Sequence, residues 1–427
     1  MKVTFCSHDS PHSLGGPFAW IQRLLPDLRN RGIDARCLLL TWGADGPCAA
    51  TLRAEGFDCP STPCHELSTD RVIWLLTQLR ENPPDIFLPN IVVAGYFAAR
   101  WLSQSGIPTV GILHSDDPLH RALQDAFVFG RKPFRLSGLV CVSKALEEEV
   151  LKRGPKNTAV SRIACGAPVP LKMVKRVPSV LRLAYVGRLT QEQKRIAELT
   201  RAFCRATREL PGVAASIFGD GPERSTVERI IASDGSGLPI TLEGIVDSTK
   251  IQERLLGFDV VVLLSDYEGI PIALMEGMAC GCVPVCLRTR SGIPELVEDG
   301  VTGLLVNDRG DGFVNAIRRL RDEPGLWQRL STAARAKISD GYSSEACTNQ
   351  WVEFLSQMHS RSGAKQPIKI PRRITLPPTH PGFAHQDPRP SGPPLPIQMY
   401  RRTRIAAGRW RRIMSGQPLP DKMSGSN

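Results

Sequence analysis

One stretch of the chain, residues 259–306, constrains the fold more strictly than any other part of the sequence. It begins with the apolar run DVVVLL at 259–264, whose length suits one buried strand of a parallel sheet. Pro271 then begins a predicted helix at a position where the N–H that proline lacks would have no partner, and Gly281 ends it before a second apolar strand at 283–287. Strand, loop, helix and strand in this order form a unit of an open α/β sheet. Such sheets bind ligands at the carboxyl ends of their strands.

Two carboxylates belong to this predicted crevice. Glu268 lies on the loop that precedes the helix, and Glu276 lies about a turn and a half inside it. The first turn of a helix also offers unpaired backbone N–H groups and the positive end of the helix dipole. Carboxylates that accept from hydroxyls, beside N–H groups that bind anions, suit a ligand that carries both hydroxyls and phosphates.

The stretch resembles the family-4 glycosyltransferases, retaining enzymes of GT-B fold that use nucleotide sugars. The shared fragments follow in the family's order: E-x7-E at 268–276, ACGCVP at 279–284, GIPE at 292–295 and DGVTG at 299–303. The resemblance implies that Glu276 binds the donor ribose hydroxyls and that Glu268 lies near the transferred sugar or the diphosphate. Further donor-binding residues implied here are Gly269, Ile270 and Pro271. The alternative is an ordinary strand–helix–strand unit with surface glutamates.

The N-terminal half repeats this kind of pattern. Strand-like residues 2–6 are followed by a loop with Gly15 and Gly16, a helical pattern that ends at Gly32, and a second strand at 36–40. This order begins a doubly wound domain, and the missing G-x-G-x-x-G gives no support to a dinucleotide fingerprint. The resemblance implies that the paired glycines let the backbone approach the donor diphosphate. A plain turn is the alternative.

His114 follows another short strand, residues 109–113, in the segment LHSDDP. A lone histidine at a strand end is more often structural than catalytic. The resemblance implies that His114 lies beside the transferred sugar, where we predict that it positions the substrate and need not act as a base. Cys165 departs from the family pattern, which usually has asparagine at that position.

The second half supplies the cations. Gly187 and Arg188 directly follow the strand at 183–186, and Lys194 comes six positions later. The resemblance implies that Arg188 and Lys194 bind the donor diphosphate, because fixed cations stabilise the charge that develops on a departing diphosphate. Two solvated surface cations are the alternative. The family usually has glycine after the lysine, whereas Arg195 follows it here and either crowds the site or adds charge to it.

Two turns complete the predicted donor site. FGDGP at 218–222 contains Gly221, and TLEGIV at 241–246 contains Ile245 in the segment that the resemblance implies beside the donor base. Turn chemistry alone also accounts for both. No D-x-D motif occurs in the chain, so we expect no metal, and no cofactor besides the nucleotide-sugar co-substrate.

The positive charge of the chain lies almost entirely in its C-terminal tail. Thirteen Lys and Arg against two Asp give residues 361–427 a net charge of +11 out of +12, which leaves +1 for the rest. This segment also holds twelve of the 35 prolines, so we predict that it is mostly disordered or extended. Residues 399–414 place apolar and arginine side chains on opposite faces of a helix, which is typical of binding to an anionic membrane surface. A flexible solvated tail is the alternative, and nucleic-acid binding is disfavoured because stacking aromatics are few.

The overall composition predicts a cytoplasmic globular protein. Of the 427 residues, 42% are hydrophobic, and no run approaches the roughly 18 apolar residues of a membrane span. The N-terminus shows no signal-like apolar run. The 12 cysteines are scattered without a C-x-x-C pair and predict reduced, mostly buried thiols instead of disulfides or a zinc site. A tail that binds lipid would make the protein peripheral on the inner membrane face.

These inferences predict an α/β protein of GT-B fold, with two Rossmann-like doubly wound domains facing across a cleft. The predicted segments are an acceptor-side domain at 1–170, a donor domain at 180–345, a crossover helix at 345–360 and the tail at 361–427. The predicted reaction moves a sugar with retention, without a metal, from a nucleotide diphosphate sugar to a hydroxyl of an unknown glycan, lipid or small-molecule acceptor. The alternatives are a GT-B phosphorylase or nucleotide-sugar epimerase, and a non-catalytic interaction protein that keeps the donor pocket.

Overall fold

The structure, a computed structural model, describes residues 1–10 and 16–389. Within this part, the chain from Met1 to Asp387 forms one compact unit. Gly15 and the amphipathic pattern predicted at 399–414 lie outside the described residues.

The N-terminal domain, called the acceptor-side domain after its predicted role, is a parallel sheet with helices in the connections between its strands. The strands are β1 (Lys2–Asp9), β2 (Asp34–Thr41), β3 (Ser61–Pro63), β4 (Ile86–Pro89), β5 (Val110–Leu113), β6 (Gly138–Cys141) and β7 (Ala159–Arg162). The helices are α1 (Gly16–Arg29), α2 (Pro47–Ala54), α3 (Ser68–Glu81), α4 (Val93–Gln104), α5 (Pro118–Phe127) and α6 (Lys144–Lys152), with a 3-10 turn at Lys132–Phe134. The strand orders are β3-β2-β1-β4 and β5-β6-β7, and a parallel bridge from Phe87 to Thr109 joins the two sets.

The C-terminal domain, called the donor domain after its predicted role, repeats this architecture. Its strands are β8 (Leu181–Val186), β9 (Val213–Phe218), β10 (Ile240–Gly244), β11 (Val260–Leu263), β12 (Val283–Leu287) and β13 (Leu304–Val306). Its helices are α7 (Ile196–Glu209), α8 (Arg224–Ser233), α9 (Ile251–Leu255), α10 (Ile272–Cys280), α11 (Ile293–Leu296), α12 (Asp311–Asp322) and α13 (Leu326–Gly341). The strand order is β10-β9-β8-β11-β12-β13, which is that of a Rossmann-like sheet.

The buried strands and the ends of α10 follow from local sequence. All four residues of β11 are buried, which an apolar run needs when a parallel sheet is covered on both faces. Gly281 ends α10 in the left-handed conformation (φ 90°), as predicted, because only glycine adopts that conformation without a steric penalty. The sequence predicts that Pro271 is the first helical residue, but in the structure it is the cap that precedes the helix. Its ψ of 110° is extended, so the helix begins at Ile272.

The predicted crossover helix is α14 (Ser344–Ser360), which starts beside Ala167 and packs on the first domain. The Ser344 N–H donates to the Ala167 carbonyl at 2.9 Å. The Trp351 ring lies 5.5 Å from that of Trp20 on α1. The last helix of the chain's body therefore fastens the donor domain to the acceptor-side domain.

The segment at 361–387, here called the strap, corrects the predicted tail boundary at 361. It lies on the acceptor-side domain as part of the compact unit and ends in a 3-10 turn at Pro381–Gln386. Phe383 is 1% exposed and stacks on Phe127 with ring centres 5.9 Å apart. Ile368 is also buried. The prolines predict a disordered or extended segment, and the strap has neither helix nor strand before this turn, but Phe383 and Ile368 are buried against the domain.

The described part of the chain contains no helix with the length and apolar character needed to cross a membrane. All twelve cysteines are free thiols, and ten of them are buried.

Candidate active site

The predicted donor-binding residues lie at the point where the strand order of the donor sheet reverses, between β8 and β11. β8 pairs with β9 on one side and with β11 on the other, so the chain winds outward in both directions from this point. The loop after β8 carries Arg188 and Lys194, and the loop after β11 carries Glu268. Because β8 and β11 are neighbours, their loops meet at the carboxyl edge of the sheet. This is where open α/β sheets bind ligands.

The two loops are tied together by charged and amide groups. Lys194 Nζ contacts Glu268 Oε1 at 2.5 Å, and their side chains are 13% and 7% exposed. The Gln193 side chain links Arg188 to Glu268: its Oε1 accepts from Arg188 Nη2 at 3.3 Å, and its Nε2 donates to Glu268 Oε2 at 3.3 Å. The Arg188 side chain is exposed, while its carbonyl accepts from the buried Tyr185 hydroxyl at 2.9 Å. One cation is therefore fixed by a carboxylate and the other is available to an incoming anion.

The first turn of α10 adds backbone donors. Pro271, its cap, makes no side-chain capping hydrogen bond. Within the described residues, the N–H groups of Ile272 and Ala273 have no backbone partner outside the helix. Uncapped N–H groups and the positive end of the helix dipole together favour an anion. Ile270 and Pro271 are both buried immediately before this turn.

Glu276 lies one turn further along α10 and is 4% exposed. Its Oε1 accepts from Nη2 of Arg23, which belongs to α1 of the other domain. Burial raises the pKa of Glu276, and the guanidinium of Arg23 opposes that rise. Arg23 is a residue that sequence reasoning missed.

His114 lies at the carboxyl end of β5, as predicted, and is held from several sides. Its Nε2 donates to Asn90 Oδ1 at 2.6 Å, so Nε2 carries the proton of the neutral ring. Its Nδ1 lies 3.9 Å from the Sγ of Cys165, the position at which the family usually has asparagine. The Trp20 ring packs edge-on at 5.4 Å. Burial lowers the pKa of His114 to about 3, so the ring is neutral at physiological pH.

The two domains touch at Gly269. A Cβ atom added to Gly269 would lie 1.8 Å from the carbonyl oxygen of His114, a distance at which something must move. On the other side, the Gly269 carbonyl accepts from the Gly292 N–H at 2.7 Å. Only glycine fits between these backbones, which brings Glu268 and His114 to the same point of the cleft.

The remaining predicted donor residues lie around the same edge. A Cβ on Gly16, at the start of α1, would be 3.0 Å from Ile272 Cδ1, so this glycine faces the first turn of α10. Gly187 donates to the Phe218 carbonyl at 3.1 Å and so joins the ends of β8 and β9. A Cβ on Gly221 would be 2.5 Å from the Leu189 carbonyl oxygen. Ile245, just beyond β10, is 53% exposed.

The backbone conformation at position 195 explains why glycine suits this position, which Arg195 occupies in this chain. It caps α7 with φ 50° and ψ 46°, the left-handed conformation that glycine adopts freely. Its guanidinium contacts Glu198 at 2.5 Å and Asp266 at 3.6 Å. The additional charge is therefore paired with carboxylates next to the site.

In the described part of the chain, no group of three His, Cys, Asp or Glu side chains lies close enough together to hold a metal ion.

Comparison with known proteins is consistent with this geometry. The family model described as "Glycosyltransferase Family 4" matches residues 14–169, and the model "Glycosyl transferases group 1" matches residues 181–323. The two matches cover one domain each. The chain belongs to the family-4 glycosyltransferases.

This family-4 chain is similar in sequence to several named glycosyltransferases. Alpha-D-kanosaminyltransferase of Streptomyces kanamyceticus is 31% identical over 167 residues, which are 39% of this chain and 43% of that protein. The match thus spans less than half of that relative. The lipopolysaccharide core biosynthesis glycosyltransferase LpsD of Rhizobium meliloti is 25% identical over 360 residues, or 80% of this chain and 95% of that protein.

Solved structures share the GT-B fold with this family-4 chain. Anabaena HepE in complex with UDP and glucose superposes with a TM-score of 0.68 at 19% identity, over 84% of this chain and 100% of that one. At this identity the likeness establishes the fold alone, and it confirms the predicted pair of Rossmann-like domains.

Three further residues of the candidate site were not predicted from the sequence: Gln193, Asn90 and Arg23. Gln193 stands beside Lys194, so its position in the loop could have suggested a role. Asn90 directly follows a strand, as His114 does, and this place at a strand end is the sequence signal that could have predicted its role. Arg23 is one arginine on an amphipathic helix, and nothing in its sequence surroundings separates it from a solvated cation.

Proposed function

We propose that the protein transfers a glycosyl group from a nucleotide diphosphate sugar to an acceptor hydroxyl. The observation that carries this proposal is the assembly of Arg188, Lys194 and Glu268 at the switch point of the donor sheet, against His114 of the other domain. Cations beside an uncapped helix N-terminus suit a diphosphate. The buried carboxylate of Glu276 suits ribose hydroxyls.

The chemistry that these groups can perform is charge stabilisation. The bond from the sugar's anomeric carbon to the diphosphate breaks, and negative charge accumulates on the departing group. Arg188, Lys194 and the first turn of α10 stabilise that charge. Charge-assisted hydrogen bonds contribute about 1.5–3 kcal/mol each, so orientation within the closed cleft supplies much of the remaining barrier reduction. Glu268 holds Lys194 in place.

Retention at the anomeric carbon follows from front-face departure and attack. The acceptor oxygen forms its bond on the face that the diphosphate leaves, and the hydroxyl proton passes to a diphosphate oxygen. The state of His114 supports this assignment. Asn90 keeps the ring proton on Nε2, and a pKa of about 3 makes the ring a weak base. We therefore assign His114 to positioning the sugar or the acceptor.

The charge arrangement also supports a reaction that needs no metal, because protein cations stand where a diphosphate would otherwise need a divalent ion. A UDP-linked sugar is the first donor to test, since neighbours such as HepE were solved with UDP. GDP-linked and ADP-linked sugars follow, since one relative is named as GDP-mannose-dependent.

The acceptor is proposed to be a glycan, a lipid-linked saccharide or a small molecule. LpsD acts in lipopolysaccharide core biosynthesis by its name, and the basic tail suits an anionic lipid surface on the cytoplasmic side. Because the strap belongs to the compact unit, the membrane proposal is tested by deleting 390–427 and not by cutting at 361. The truncated protein should lose its binding to anionic vesicles and keep its activity on a soluble acceptor. Unchanged vesicle binding would contradict the membrane role.

The test of the reaction is a panel of nucleotide sugars incubated with the purified protein. Slow release of nucleoside diphosphate with the anomeric configuration retained, and with faster release on addition of acceptor, is the expected result. Isomerisation of the nucleotide sugar, or release that depends on inorganic phosphate, would support an epimerase or a phosphorylase instead. Binding without turnover of any donor would favour a non-catalytic interaction protein.

A further inference from the structure

One ion pair crosses the cleft and ends on the predicted donor site. Arg23, on α1 of the acceptor-side domain, donates through Nη2 to Glu276 Oε1 on α10 of the donor domain. The Arg23 side chain is 22% exposed and that of Glu276 is 5% exposed. The same Nη2 lies 3.5 Å from the carbonyl oxygen of Ser248, on the loop that follows β10. Arg23 therefore bridges two donor-domain elements that flank the predicted nucleotide site.

The face of α1 that carries Arg23 is fitted to the donor domain at other points as well. Gln22 Oε1 accepts from the Ser248 hydroxyl at 3.5 Å. At the start of the helix, Gly16 leaves room for Ile272, whose Cδ1 would lie 3.0 Å from an added Cβ. The ion pair is thus one of several contacts along one side of α1, and the Arg23 guanidinium reaches Glu276 only when α1 lies against α10.

The pair leaves hydrogen-bonding capacity on both partners. Among the described residues, Arg23 Nη1 is buried and has no hydrogen-bond partner. The bond to Glu276 engages only Oε1, which leaves Oε2 to accept another donor. A buried N–H without a partner is unfavourable, and native proteins usually satisfy it. A hydroxyl both donates and accepts, so one ligand hydroxyl can donate to Oε2 and a second can accept from Nη1. Two adjacent hydroxyls on one ligand are the feature of a ribose.

The charge of the pair fits the same ligand. Burial raises the pKa of Glu276, and Arg23 acts in the opposite direction and favours the carboxylate. A carboxylate accepts from two hydroxyls, whereas a protonated carboxyl gives up part of that acceptor capacity. Removal of Arg23 would therefore affect both the orientation and the charge of Glu276.

We propose that Arg23 is a binding and positioning residue of the donor site, supplied across the cleft by the acceptor-side domain, which orients Glu276 and with it binds the ribose diol of a nucleoside diphosphate. The inference rests on the proposed function, because it takes Glu276 as the ribose-binding carboxylate. It makes nucleotide affinity depend on the approach of the two domains. The competing arrangement has Arg23 occupying the ribose position itself and excluding the nucleotide.

The experiment measures nucleoside diphosphate binding by calorimetry with the full chain, using whichever of UDP, GDP and ADP binds the wild type. Arg23→Met should weaken binding about 10- to 100-fold, the range for a charge-assisted hydrogen bond. Arg23→Lys should recover part of the loss. Arg29→Met is the matched control, since Arg29 lies on the same helix and donates within its own domain to the Glu55 carbonyl at 2.8 Å. It should bind as the wild type does.

A second ligand separates positioning from a general effect on the fold. With the 2′,3′-dideoxy form of the same nucleotide, the wild type and Arg23→Met should bind equally, because the hydroxyls that Arg23 and Glu276 hold are missing. In turnover, Arg23→Met should raise the donor KM with kcat nearly unchanged, as expected for an interaction made equally in the ground and transition states.

The outcomes distinguish this inference from the proposed function. If the wild type binds none of the three nucleotides, or if Glu276→Gln binds the nucleotide as tightly as the wild type does, the donor site itself is wrong and the inference falls with it. If Glu276→Gln weakens binding while Arg23→Met does not, the role of Arg23 is overturned and the donor site stands. Tighter binding by Arg23→Met would mean that Arg23 blocks the ribose position. An equal loss with the dideoxy nucleotide would mean that Arg23 acts only through the fold.

Discussion

The two domains present different chemistry to the cleft between them. The donor domain presents charged groups, Arg188, Lys194, Glu268 and Glu276, and residues 181–323 contain none of the chain's eight histidines. Apart from Arg23, which reaches across to Glu276, the acceptor-side groups considered above are neutral: the imidazole of His114, with Asn90 and Trp20 around it. A diphosphate needs fixed charge, whereas hydroxyl acceptors are positioned by neutral hydrogen-bonding and aromatic groups. Under the proposed function, the diphosphate lies on the donor domain and the hydroxyl groups lie beside His114.

Replacing Gly269 removes the contact between the two sites and should have the largest effect. The Cβ of Gly269→Ala would overlap the His114 carbonyl, so the domains cannot approach as they do here. We expect turnover to fall at least about 1000-fold, since both positioning and charge stabilisation depend on that approach. Gly341→Ala is the matched control, because a Cβ there meets nothing within 4 Å. Donor turnover and circular dichroism of both variants check the prediction, and an active, folded Gly269→Ala protein would contradict it.

Removing either cation tests the donor side alone. Arg188→Ala and Lys194→Ala should each lower kcat by about 10²–10³, the effect of removing one group that stabilises developing charge. The Lys194 variant also leaves Glu268 buried without its ion-pair partner. Arg229→Ala, at an exposed position on α8, serves as the control and should keep full activity. Near-normal kcat in the Arg188 variant would remove its assigned role.

The acceptor side can be probed through its histidines. Burial lowers the pKa of His8 to about 4 and that of His114 to about 3. Below the ordinary histidine pKa of about 6.5, the unfolded chain binds protons that the folded chain does not, so stability is fully present above that pH and is lost as pH falls. The slope is at most about 1.4 kcal/mol per pH unit for each histidine. Thermal unfolding across this range should show a shallower slope for His114→Gln than for the wild type, and an unchanged slope would place His114 in a more solvated setting.

The smallest effect is expected at Arg195. Glycine there would relieve a left-handed backbone conformation that costs about 1 kcal/mol or more for other residues. It would also remove two half-exposed ion pairs worth about 0–1 kcal/mol each. Arg195→Gly should therefore change the free energy of unfolding by no more than about 1 kcal/mol and leave kcat intact. Denaturant titration and donor turnover measure both quantities, and a large loss of kcat would show that Arg195 contributes charge to the reaction.

The groups of the proposed donor site are easier to predict from sequence than those around His114, for a physical reason. Arg188 and Lys194 share one loop, and Glu268 and Glu276 share one loop and helix, so local spacing carries the pattern. Arg23, Asn90 and His114 come from separate elements, and only the folded sheet brings them to one edge. The attachment of the strap could not be predicted from its own proline-rich sequence, because the burial of Phe383 and Ile368 depends on sites formed elsewhere in the chain.

The central claim is that protein cations, and no divalent ion, neutralise the departing diphosphate of a nucleotide sugar. Its most direct test is donor turnover by the wild type in excess chelator and with added magnesium. Equal rates in the two conditions, with the rate abolished in an Arg188→Ala, Lys194→Ala double variant, are the result that we predict. Activity that disappears with the chelator and returns with magnesium would contradict the claim.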